Sequence, residues 1–95
     1  MSWRVIYHEA VAGDLVAIGQ AEARVILNVI TKRIQNGEPD KLGKALSGRL
    51  AGYRRIRTGS TRIVYRTNAE AIEVLIVAIG QRRDSEVYAA AEKRV

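Results

Sequence analysis

Apolar residues change their spacing several times along the chain, and each change marks an element. Residues 3 to 7, Trp-Arg-Val-Ile-Tyr, are β-branched or aromatic apart from Arg4 and predict a first strand. From about Glu9 to Ile18 the spacing turns helical, with Val11, Leu15 and Ile18 on one face and Gly19 placed to end the run. A second helix is predicted from about Gln20 to Asn36. Its apolar stripe is Val25, Ile26, Val29, Ile30 and Ile34, and its wet side is Arg24, Asn28, Thr31, Lys32 and Gln35. Gly37 stands where a left-handed cap belongs, and Pro39 cannot continue the helix.

Glu38 to Gly52 mixes Pro39, Gly43, Gly48 and Gly52 with small and basic residues and reads as a long surface connection. Three strands follow, Tyr53 to Thr58, Thr61 to Thr67 and Ala71 to Ile79, joined by Gly59-Ser60 and Asn68-Ala69-Glu70. The run Val74 to Ile79 is apolar on both faces, which assigns it an interior place in a sheet. Asp84 or Ser85 is placed to cap a short last helix through Lys93. That helix offers only Val87 and Tyr88 as large apolar groups beside three alanines, so weak docking is expected. The order is β-α-α-β-β-β-α, an α+β arrangement, and 95 residues leave room for one domain, 1–95.

Charge sharpens this outline because it is uneven. The net charge is +6, and half of the 16 basic residues (Lys41, Lys44, Arg49, Arg54, Arg55, Arg57, Arg62 and Arg66) fall in a stretch with no Asp or Glu between Asp40 and Glu70. The segments on either side are nearly neutral, so the excess is local and points to a polyanionic partner, nucleic acid first. Cysteine is absent, the start MSWRVIYHEA carries no secretory leader, and no apolar run approaches the ~20 residues of a membrane helix. A cytoplasmic protein without membrane contact is the expectation.

Strand parity places the charges. If Ile56 and Ile63 face the helices, Arg55 and Arg57 point the other way. A two-residue turn at Gly59-Ser60 then sets Arg57 directly across from Arg62, with Tyr53, Val64 and Arg66 on the same face. Directly opposed like charges destabilise by a few tenths to about 1 kcal/mol, so on this reading the face is a built anion site, and removing Arg62 relieves repulsion. Conventional catalytic groups are missing. The single histidine, His8, falls at the end of the first strand and reads as structural, and the acids show no metal-ligand spacing. No cofactor is expected.

The string Gly52-Tyr53-Arg54-Arg55-Ile56-Arg57-Thr58-Gly59-Ser60-Thr61-Arg62-Ile63-Val64-Tyr65 resembles the central hairpin of RelE-family toxins, and IGQRRDSEVYAAAEKR resembles their C-terminal segment. The likeness extends over nearly the whole chain, since the element order agrees as well. It implies a small, mainly antiparallel four-stranded sheet packed on an N-terminal helical hairpin. It also implies a type II toxin that cleaves mRNA in the ribosomal A site by attack of a 2′-hydroxyl on the adjacent phosphate, without a metal. A RelB-like antitoxin would restrain it in a higher hetero-oligomer. By position the resemblance assigns catalysis to Arg55, Arg57, Arg62, Arg82 and Tyr88. Lys41, Lys44, Arg49, Tyr53, Arg66 and Arg83 are candidates for further RNA contact.

The family prototype has lysines on the second strand where this chain has Arg55 and Arg57. Holding an arginine neutral near pH 7 would cost on the order of 7 kcal/mol or more, so these side chains suit phosphate clamping rather than proton abstraction. Arg55, Arg57 and Arg62 are expected to stabilise the transition state, Arg82 to assist the leaving oxygen, and Tyr88 to stack on a base. Two other readings compete: a ParE-like toxin, which shares the fold and poisons DNA gyrase, and a non-catalytic nucleic-acid-binding module.

Overall fold

The apolar run Val74–Ile79 belongs to a strand paired on both sides, as its two-faced hydrophobicity requires. The computed structural model describes residues 2–81 and 83–95. In chain order the elements are β1 (Arg4–Tyr7), α1 (Val11–Ile18), α2 (Gln20–Val29), β2 (Lys44–Ala45), β3 (Tyr53–Thr58), β4 (Thr61–Asn68), β5 (Glu73–Gly80) and α3 (Asp84–Arg94). The sheet order is β1-β5-β4-β3-β2, with β1 parallel to β5 and every other pair antiparallel.

The predicted order of long elements holds, with one strand added. The segment between α2 and β3 is not a bare loop: Lys44 and Ala45 pair with Arg55 and Arg54 as a fifth, edge strand, and Gly48–Leu50 forms a 3-10 turn. The segment wraps the edge of the sheet, since Leu42 packs on one side and Leu46 and Leu50 on the other. Its first half is fastened by Tyr65, fully buried, whose hydroxyl donates to the Pro39 carbonyl at 2.7 Å, and by Arg54, whose Nε donates to the Leu42 carbonyl at 2.6 Å. Burial pushes the Tyr65 hydroxyl above its ordinary pKa even with Arg54 and Arg33 nearby, so it remains a donor.

The second helix ends differently from expectation. Ile30–Gln35 continues α2 as a π-helical stretch, closed by the Asn36 N–H donating to the Thr31 carbonyl. Gly37 does not have the left-handed backbone of a cap. It is glycine for lack of space, because a Cβ there would lie 2.2 Å from the Arg33 carbonyl oxygen. The stripe behaves as predicted at Ile26, Ile30 and Ile34, which are buried with Ile56, Ile63, Tyr65, Val74 and Ile76 in the core between the helical hairpin and the sheet. Each such isoleucine contributes roughly 1.5–3 kcal/mol of burial. Val25 is half exposed instead.

The opposite face is covered in part by α3, in keeping with an apolar run in β5 that faces both ways. Leu50, Val64, Val77, Ala78, Val87 and Ala91 form a second, smaller core there. A bulge makes it possible. Val64 pairs with Ala78 and Tyr65 with Ile76, which leaves Val77 as the extra residue and turns Val77 and Ala78 both toward α3. The expectation of a weakly held last helix also needs revision. Arg94 donates to both carboxylate oxygens of Asp14, at 2.6 and 2.9 Å, and to the Val77 carbonyl, while the Ile79 N–H donates to the same carboxylate. This clasp ties the C-terminal end of α3 to α1 and to the bulge. The Asp14 hydrogen bonds, above all, raise the pKa of Arg94, keeping it charged.

Candidate nucleic-acid interface

The arginine face is built from the hairpin outward. Gly59 takes φ +59°, open to glycine and poor for other residues, and the two-residue turn it starts fixes the register Thr58↔Thr61, Arg57↔Arg62 and Ile56↔Ile63. Ile56 and Ile63 therefore enter the hairpin-side core, and Arg57, Arg62 and Arg55 stand on the other face, as parity predicted.

What the sequence reading missed is the anion already there. Asp84, in the first turn of α3, lies among all three arginines: its Oδ1 accepts from Arg62 Nε at 2.7 Å, and its Oδ2 lies 3.6 Å from Arg55 Nη2 and 3.8 Å from Arg57 Nη2. It does not cap the helix. The N-cap position is Arg83, with no side-chain cap bond. Partial burial raises the pKa of Asp84, but the Arg62 hydrogen bond and the charges of Arg55, Arg62 and Arg57 outweigh it and hold the carboxyl below its ordinary value. One helical turn on, Tyr88 meets the same cluster, its hydroxyl accepting from Arg55 Nε at 3.2 Å.

The arginines are unequal. Arg55 and Arg62 keep 14% and 17% of their side-chain surface exposed, and Arg57 keeps 51%. Arg62 is the most committed. Beyond Asp84 its Nη1 donates to the Ser60 carbonyl at 2.9 Å and, more loosely, to that of Gln81 at 3.4 Å. The contact opposite Arg57 is thus not bare repulsion, and the expectation that losing Arg62 relieves strain is overturned: it would strip partners from the turn, from the loop before α3 and from Asp84.

The remaining candidates divide. Tyr53 and Arg66 are cross-strand partners on the arginine face, the Arg66 guanidinium 5.6 Å from the Tyr53 ring centre, and Lys44 is in register with Arg55. Arg83 is exposed beside Asp84, and Arg49 is exposed on the 3-10 turn packed against α3. Lys41 is not brought to the cluster. It lies on the loop fastened by Tyr65 on the hairpin side, its amine 3.3 Å from Glu38. Arg82 lies outside the described residues. His8 directly follows β1, the sheet edge opposite to β2 and β3, with its Nδ1 accepting from the Ala10 N–H at 3.0 Å, in keeping with the structural reading. Among the described residues no group of three or more His, Asp or Glu could hold a metal ion, and no helix is long and apolar enough to cross a membrane.

Asp84 was detectable. Positions 84, 87, 88, 91 and 94 follow helical spacing, so a helix that buries Val87 and Ala91 and turns Tyr88 to the arginines must turn Asp84 there too.

Known structures share this fold. One chain of the RelBE2 toxin–antitoxin complex of Mycobacterium tuberculosis superposes with a TM-score of 0.79 at 24% identity, covering 86% of this chain and 100% of that one. A double arginine-to-alanine mutant of the E. coli toxin RelE in its free state gives 0.78 at 22% identity, over 100% and 99%. The intact E. coli RelBE complex gives 0.55 at 18%, over 86% and 99%. At these identities the likeness establishes the fold. No curated protein sequence matches significantly. The family model for the ParE toxin of type II toxin–antitoxin systems matches residues 5–86, and the chain is therefore a member of that toxin family, within the RelE/ParE superfamily.

Proposed function

We propose that this type II toxin is an endoribonuclease that cleaves mRNA in the ribosomal A site and thereby stops translation. The observation that carries the reading is the convergence of Arg55, Arg57 and Arg62, from two adjacent strands, on a single anionic group. Guanidinium groups so arranged fit the equatorial oxygens of a phosphate under attack, and their fixed charge stabilises the negative charge that develops in the transition state. The 2′-hydroxyl gives its proton to solvent and attacks the adjacent phosphorus while the bond to the departing 5′ oxygen breaks, leaving a 2′,3′-cyclic phosphate and a 5′-hydroxyl that takes its proton from solvent. Arg82 assists that oxygen, and Tyr88 orients the nucleotide beside Arg55. Ribosome binding supplies the in-line geometry, a positioning effect worth several kcal/mol. Tyr53, Arg66, Lys44, Arg49 and Arg83 extend the surface along the RNA backbone; Lys41 does not join them.

The partner is a RelB-like antitoxin. The complexes of M. tuberculosis RelBE2 and E. coli RelBE, each containing a chain of this fold, support that assignment, and on this reading the assembly is a higher hetero-oligomer. A ParE-like action on DNA gyrase is the second reading, favoured by the ParE family match over residues 5–86. Purified protein added to a translation extract separates the two. On the nuclease reading it cuts mRNA on translating ribosomes, leaves naked mRNA nearly intact and does not affect gyrase supercoiling. Inhibition of supercoiling with intact mRNA would replace it with the second reading.

A further inference from the structure

The proposed nuclease must act on mRNA held by a ribosome and spare free RNA, and the arginine face alone does not explain that selectivity. A cluster of three arginines should bind any phosphate backbone. Asp84 changes this. Its carboxylate already takes the Nε hydrogen of Arg62 and stands within 4 Å of Arg55 and Arg57, so two of the three cations have limited exposure and one anion is in place.

We infer that Asp84 is an intramolecular competitor for the RNA phosphate and adds a binding preference for ribosome-held substrate to the geometric one. An anion fixed to α3 competes at an effective concentration on the order of mM, as tethered groups do. RNA free in solution must displace it at ordinary concentration and gains little. mRNA held in the ribosomal A site is itself fixed against the toxin, at a comparable effective concentration, and can take the arginines over. The carboxylate carries no proton at neutral pH, so the competitor is always charged.

The inference rests on the nuclease reading, but its test does not. Binding of a single-stranded RNA with 2′-O-methyl sugars, which cannot be cleaved, would be followed by fluorescence anisotropy across a salt series. Asp84→Asn should tighten binding at least tenfold at low salt and steepen the log–log salt slope by about 0.7 for each phosphate newly engaged. Glu9→Gln makes the same change in net charge at an exposed position before α1 and should alter binding less than about twofold. Asp84→Glu keeps a carboxylate and should stay within about threefold of the parent.

Asp84→Ser provides a second neutral variant, and both Asn and Ser are tolerated where helices begin, so at least one should retain α3. A gain in the folded neutral variants no larger than that of Glu9→Gln overturns the inference. So does weaker binding, which would make Asp84 a positioning residue for the arginines. Absence of ribosome-dependent cleavage by the unmodified protein would instead defeat the nuclease reading and leave the binding result standing on its own.

Discussion

The two ends of α3 are held by ions in opposite proportions. At the C-terminal end one carboxylate, Asp14, meets one guanidinium, Arg94, through two short bonds, and the backbone groups of Val77 and Ile79 complete the set. At the N-terminal end one carboxylate meets three guanidiniums, only one of them at hydrogen-bonding distance. The first set balances and closes on itself, with both side chains mostly buried. Among the described residues the second leaves two positive charges over, with Arg57 half exposed to solvent. A balanced pair accounts fully for its own burial. An excess of one sign costs self-repulsion, and nothing in the described pairing offsets it. The same helix is thus fastened by a structural clasp at one end and by a site with spare capacity at the other.

Breaking the unbalanced end should give the largest effect. Arg62→Ala is expected to lower cleavage on translating ribosomes by a hundredfold or more, in line with loss of one transition-state hydrogen-bond donor or charge. It should also destabilise the fold by about 1–3 kcal/mol, because the Ser60 carbonyl and the Asp84 carboxylate lose a partner. Cleavage assays and urea unfolding report the two separately. Unchanged cleavage would remove Arg62 from the site, and a gain in stability would restore the view that its contact with Arg57 is mainly repulsive.

Breaking the balanced end should touch stability alone. Asp14→Asn leaves Arg94 charged and mostly buried without its counter-ion, at a cost of about 2–4 kcal/mol. At temperatures where the variant stays folded, cleavage should fall less than threefold, since among the described residues none of those proposed for RNA contact shares a hydrogen bond with this clasp. A large loss of activity from a folded Asp14→Asn protein would mean that the two ends are coupled.

Acid should separate them more gently. The pKa of Asp84 is depressed in the folded protein, so its contribution to stability is present above the unfolded value, about 3.9, and is lost as pH falls through the lower folded value. The difference in urea midpoint between the parent and Asp84→Asn should therefore be constant near neutrality and shrink below about pH 4. Because Asp84 is about one-third exposed, the effect should be small. A difference that grows on acidification would contradict the sign of the shift.

This contrast also explains what could be read in advance. The hairpin-side core was legible because it depends on period: Ile26, Ile30 and Ile34 repeat every four residues, Ile56 stands between Arg55 and Arg57 and Ile63 follows Arg62, and a two-residue turn permits one register. The helix end at Gly37 was misread because lack of room for a Cβ leaves the same glycine in the sequence as a left-handed cap does. The fifth strand was missed because two paired residues have no period. The clasp at the C-terminal end of α3 lay out of reach. Asp14 and Arg94 are 80 positions apart, and nothing in either local pattern identifies the other. Asp84 is nearer to its arginines, but its place before Tyr88 looks like an ordinary helix start until the face of α3 is known.

The finest test follows the helix between its two fastenings. Eleven residues with a single buried branched side chain, Val87, would fray on their own, and helices this short are marginal in water. With both ends held, amides of residues 85 to 93 should exchange hydrogen more slowly than in an isolated helix, yet faster than those of Val74 to Ile79, which lie in a strand bonded to β4 along its length and to β1 as far as Ile76. The clasps predict where protection is lost. Asp14→Asn should speed exchange mainly toward Lys93 and Arg94, Asp84→Asn mainly around Glu86 and Val87, and each should leave the far end within a few-fold of the parent. If the antitoxin acts by lifting α3, its binding should alter protection along the whole helix and take both Tyr88 and Asp84 away from Arg55. Equal acceleration along α3 from either substitution would show that the helix opens as one unit, with the two fastenings acting as a single lock.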